Sequence, residues 1–150
     1  MAEKSIIDML NQLTVKLLDS AAAFDLAGKE ACGFHFYAVF EARAEERKIS
    51  AENLQNALRI LHHTPPQTGS LIGKVELALS HLIHSSLRSE KFVADLFDHE
   101  EIQILNLFEK ILDHPHLSAE VEQLMEQEYK RTFSGFSALK AFEREMDRRP

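Results

Sequence analysis

Four long stretches of the chain repeat apolar residues at intervals of three and four, and no proline interrupts any of them. A helix turns by about 100° per residue, so residues at these intervals line up on one face. The first stripe is Ile6, Leu10, Leu13, Leu17, Ala21, Phe24 and Gly28, and it predicts a helix from Ser5 to Gly28 with Ser5 and Asp8 at its cap. The second is Phe36, Phe40, Ala44, Arg47, Ala51, Leu54, Leu58 and Leu61, ending at the His62-His63-Thr64-Pro65-Pro66 segment. Thr68, Gly69 and Ser70 offer a turn and cap before a shorter helix with Leu71, Val75, Leu79 and Leu82 inward. Beyond a soft break at Ser85, Ser86 and Ser89 come Val93, Phe97, Glu100, Ile104, Leu107 and Ile111, spaced like the seam of a bundle. The last helix starts at Ser118, with Glu120 and Glu122 in its first turn and Val121, Met125, Tyr129, Thr132, Phe136 and Leu139 inward. Four substantial helices, one short one and brief loops predict an all-α antiparallel four-helix bundle.

Composition narrows the class further. With 150 residues, 45% of them hydrophobic, the chain suits one compact domain spanning 1–150. Cys32 is the only cysteine, which excludes an internal disulfide and fits a reducing, cytoplasmic setting. The start, Met1 to Lys4, is unlike a secretory signal, and no run reaches the length of a membrane span. A net charge of −7, from 17 basic and 24 acidic residues, repels a phosphate backbone, so no nucleic-acid partner is expected. The basic strip at Lys130, Arg131, Lys140, Arg144, Arg148 and Arg149 is interleaved with acids and reads as a solvated face.

The run Ala44-Glu45-Glu46-Arg47, continued by Ala51, Leu54, Leu58 and Leu61, resembles a bacterial family of short ferritin-like bundles of unassigned role. Pro65 followed by Gly69-Ser70-Leu71-Ile72-Gly73-Lys74 is similar to that family's segment after its second helix, and Asp19-Ser20-Ala21-Ala22-Ala23-Phe24 sits where it has Asp-Gly-Glu-Lys-Gly-Tyr. The resemblance covers nearly the whole chain and implies a ferritin-like bundle with a stress association. Ferritin-like bundles that do redox chemistry hold two iron or manganese ions with a Glu from each of two helices and a Glu-x-x-His from each of the others. Residues three apart project to one side of a helix, so the carboxylate and the imidazole reach the same ion. This chain contains no Glu-x-x-His. Ala21 replaces the first-helix Glu, and Phe136 stands where the family tends to have His; only Asp98 and Glu101 align with a family Glu-x-x-Glu. The resemblance therefore implies the scaffold rather than an oxidase, reductase or storage activity, with no catalytic residue, cofactor or metal assigned.

Glu100 and Glu101 both lie within about 60° of the centre of their helix's stripe, so at least one is expected inside, while Arg47 is near the centre of the second stripe and Glu128 at the edge of the last. An internal Arg47–carboxylate pair fits better than a metal site, because a cation in the cage opposes a divalent ion. The competing expectation is a divergent di-iron or manganese oxidoreductase with an all-carboxylate site of Glu100, Glu101, Glu128 and Glu41 or Glu45. A third is a small-molecule carrier with its ligand between the helices. His81-x-x-His84 and Asp95-x-x-x-His99 have metal-compatible spacing but point away from the stripes, and His62, His63, His114 and His116 fall in loops. Gly69 to Lys74 superficially resembles a phosphate loop but lacks its full pattern and fits a helix cap better. No motif activates Cys32 as a nucleophile. Phe34 is about 120° from Phe40 on the aromatic start of the second helix, shared with Phe36 and Tyr37, and it suggests a homodimer surface there.

Overall fold

The computed structural model describes residues 2–30, 37–69 and 90–147. Among these the chain is all-helical, with four helices and no strand: α1 Ala2–Glu30, α2 Tyr37–Ile60, α3 Glu90–Leu112 and α4 Ala119–Asp147. The expected short helix from Leu71 to Leu82 lies outside the described residues, as do Cys32, Phe34, Phe36 and the His81-x-x-His84 pair. No described helix is long and apolar enough to cross a membrane.

Two ends differ from expectation. Helix α1 begins at Ala2, so Ser5 is inside the helix and does not cap it; Ala2, Glu3 and Lys4 all favour the helical state, and nothing before Ser5 stops it. It also runs through Gly28 to Glu30, a glycine costing only about 1 kcal/mol in a helix that long. The start of α4 is as expected, the Ser118 hydroxyl accepting a bond from the Val121 amide at 3.3 Å.

The apolar stripes meet in two layers. One contains Ile6 to Leu17 of α1, Ala51 to Leu58 of α2, Ile104 to Ile111 of α3 and Val121 and Met125 of α4. The other contains Phe24 and Ala27, Phe40 and Ala44, Phe97, and Leu139. The start of α1 thus lies with the end of α2, the end of α3 and the start of α4, so the helices run up, down, down and up. Helix α1 packs on α2 and α3, and α4 packs on the same two, which leaves α2 and α3 facing each other in parallel across the diagonal. Among the described helices all neighbouring pairs are antiparallel, while α2 and α3 run parallel. Phe24 stacks on Phe97 with centroids 4.2 Å apart, and Phe40 leans against both.

Helix α2 ends in a turn that a glycine usually makes. His62 has φ 64°, while its amide bonds the Arg59 carbonyl at 2.9 Å and the His63 amide bonds the Leu58 carbonyl at 2.9 Å. These are the two bonds of a Schellman cap, with histidine in the left-handed position. His62→Gly is expected to raise the unfolding free energy by about 1 kcal/mol, because glycine adopts that φ without the steric cost of a Cβ. Urea denaturation measures it; a loss of stability would mean that the His62 ring makes contacts worth more than the strain.

Candidate functional site

Between the two apolar layers lies a belt of buried charge. Arg47 and Glu101 are fully buried, and Arg43 nearly so. Helix α2 carries both arginines one turn apart on the face turned to α3, and α3 points Glu101 back across the diagonal. Arg43 Nη2 donates to Glu101 Oε2 at 2.7 Å, and Arg47 Nη2 donates to the same oxygen. One carboxylate thus holds two guanidinium groups, with Arg43 also 2.8 Å from Glu46 Oε1 one turn along α2. Burial pushes the Arg47 guanidinium down to about 10; Glu101 opposes that shift and Arg43 adds to it. At neutral pH Arg47 remains a cation, so the contact is ionic.

The second half of the belt belongs to α4. Glu128 is fully buried and accepts from the Ser50 hydroxyl at 2.7 Å and from the Asn53 amide, both on α2. Arg131 approaches it from the rim at 3.9 Å. A turn further along α4, Thr132 is also fully buried. Gly135 then lets Arg43 lie against the α4 backbone: a Cβ there would stand 1.4 Å from Arg43 Nη1. On its other side the Arg43 guanidinium sits 5.9 Å from the centroid of the Phe24 ring.

Of the two neighbouring glutamates on α3, Glu101 enters the bundle and Glu100 is exposed. The 100° rule left both near the stripe, and the side chain with cations to meet went inward. Glu128, expected at a stripe edge, is wholly inside, where Ser50 and Asn53 replace the hydrogen bonds of water. Glu41 and Glu45 are exposed. The all-carboxylate set is therefore not brought together, and two of its five members, Glu101 and Glu128, are buried on other partners. Asp98 holds Lys140 at 2.9 Å. Phe136 is half-buried, Ala21 is buried, and neither offers a ligand atom to the belt.

The histidines lie elsewhere. His99 is exposed beside Gln103, and the Asp95 side chain lies outside the described residues. His114 and His116 are ring neighbours in the α3–α4 loop, with centroids 5.9 Å apart. Among the described residues no group of three or more His, Cys, Asp or Glu is arranged to hold a metal ion. Gly69 packs on the Asp19 carboxylate, so the start of the glycine-containing segment faces an acid. For the carrier reading, the space between Arg47 and Glu101 is occupied by their own contact. A groove of about 430 Å³ does lie between α2 and α4, lined by Ala38, Val39, Ala42 and Ala138 and ending on Arg43, Glu46 and Gly135.

Arg43, Ser50 and Asn53 were missed in the sequence. Arg43 is four residues before Arg47 and hence on nearly the same face, which was the available signal. Ser50 and Asn53 gave none, since short polar residues on a long helix read as its wet side.

Residues 5–114 match the family described as a domain of unknown function, DUF2383, and the chain belongs to that family. The match runs from α1 to the end of α3 and stops before α4. No curated protein and no solved structure matches the chain.

The two ends of the central contact are unequal. Glu101→Leu leaves two buried guanidinium groups without their shared carboxylate and is expected to cost about 3–5 kcal/mol. Arg47→Met leaves Glu101 still held by Arg43 and is expected to cost less, about 1–3 kcal/mol. Chemical denaturation of both variants checks the order, and equal losses would show that Arg43 does not share the carboxylate.

Proposed function

We propose that this chain is a ferritin-like four-helix bundle, folding as one domain over 1–150, in which an arginine–carboxylate belt stands at the level of a metal pair. It serves as a non-catalytic structural or interaction module in a bacterial cytoplasm. The up-down-down-up order of the described helices supports the ferritin-like reading, since that order distinguishes such bundles from simple up-down ones. The association with stress rests on the family resemblance described above.

One observation carries the non-catalytic reading: two guanidinium groups converge on Glu101 in the middle of the bundle. A di-metal centre needs several anionic oxygens aimed at one point with no cation between them. Among the described residues the buried side-chain atoms without a hydrogen-bond partner are, apart from the Arg43–Glu46 ion pair, Arg43 Nε and Arg47 Nε and Nη1 on the donor side and Asp98 Oδ1, Glu101 Oε1 and the Thr132 hydroxyl on the acceptor side. Two guanidinium cations at this point repel a divalent ion. The residues present do not fit a metal pair.

Metal analysis of protein purified without a histidine tag tests this directly. No stoichiometric iron or manganese is expected, and the melting temperature is expected to be the same with and without strong chelator. About two ions per chain, together with a melting temperature that falls on chelation and recovers with iron or manganese, would favour the divergent oxidoreductase instead.

A further inference from the structure

The outer face of α4 has no role in the charged belt, and its pattern is self-complementary. Phe133 is 51% exposed on this face, with Tyr129 stacked beside it at 6.3 Å between centroids. On the neighbouring helix Ile102 is 48% exposed. The contacts Asp98–Lys140 and Glu109–Tyr129 set the antiparallel register of α3 on α4, which brings Ile102 level with Phe136 and Leu105 level with Phe133. Exposed Ile102 therefore adds aliphatic surface from α3 at the level of the aromatic strip, apolar surface of the kind that marks an interaction site.

Charge is distributed about that strip in two opposite halves. At about 100° per residue, Glu122, Glu126, Tyr129, Phe133, Ser137, Lys140 and Arg144 all fall within about 40° of Phe133. Of these, the acids Glu122 and Glu126 precede Phe133 and the bases Lys140 and Arg144 follow it at the same intervals. Glu122 and Arg144 are equally far from it along the helix, and so are Glu126 and Lys140. Glu122, Glu126 and Arg144 are exposed, and Lys140 is held on the rim of this face by Asp98.

We propose that α4 docks antiparallel on α4 of a second copy, about a twofold axis passing at Phe133. That axis sets Glu122 against Arg144 and Glu126 against Lys140 of the second copy, and each pair occurs twice, as an isologous interface requires. Phe133 meets its own equivalent at the centre and is fully desolvated there, with the four charge pairs at the rim selecting the antiparallel direction. A parallel pairing would oppose like charges at every one of these positions. This surface is distinct from the one expected at Phe34, and it does not rest on the reading of the core, since a metal-containing bundle would present the same face.

Light scattering and sedimentation over a micromolar concentration range test the pairing. The expected species is a reversible dimer with twice the 17.1 kDa monomer mass; a monomer throughout that range overturns the proposal. Phe133→Asp is expected to raise the dissociation constant at least about tenfold with unchanged helicity, and with little change in melting temperature at dilutions where both proteins are monomeric, because Phe133 is half exposed in the single chain. Glu122→Arg and Arg144→Glu are each expected to weaken the dimer, and the double variant to restore it, since exchanging the charges recreates the pair across the axis. A dimer indifferent to Phe133→Asp, or a double variant no tighter than the singles, overturns the proposal.

Discussion

The contact of Arg43 and Arg47 with Glu101 sets the terms for the rest of the bundle. Removing three charged groups from water is costly, and the loss is offset only where each charge finds its counterpart at short range. Helices α2 and α3 are diagonal partners and do not otherwise pack closely, so these side chains span the interior to reach one another. Their length decides how far apart the two helices stand. The polar belt in turn separates an aliphatic layer, built on the long leucine and isoleucine stripes, from an aromatic layer around Phe24, Phe40 and Phe97.

A belt of this kind specifies register in a way that an apolar stripe does not. Leucine stripes can slip by one turn and still bury similar area, but a slip of α3 by one turn would carry Glu101 away from both arginines. The same holds for α4, where Glu128 is satisfied only opposite Ser50 and Asn53, and Gly135 is tolerated only where Arg43 needs the space. Side chains that contribute little net stability thus exclude the alternative packings.

The proposed function rests on the same feature. Ferritin-like bundles with redox activity gather anionic ligands at mid-height, whereas this chain gathers cations on an anion, so the chemistry of its centre is inverted. On the non-catalytic reading proposed above, recognition falls to the outside of the bundle. There the face of α4 combines an aromatic centre with opposite charges on either side, a pattern that neither the core nor solubility requires. The family match ends before this helix.

Helix positions were legible in the chain because burial of one helix face imposes its own period, and Leu10, Leu13, Leu17, Leu54, Leu58, Ile104 and Ile111 all lie where that period places them. Arg47 was legible for the same reason, a charge at the centre of an apolar stripe being forced to find a partner inside. The helical period could not choose between Glu100 and Glu101, nor tell that Arg43, Ser50 and Asn53 face inward. Each of those choices depends on what the opposite helix presents, and that is fixed only when four helices meet. Tertiary structure alone therefore decided that one carboxylate would hold two arginines, and that Glu128 would be buried on a serine and an asparagine. Periodicity along a helix records which side is dry; the identity of the group waiting there is a property of distant sequence brought close.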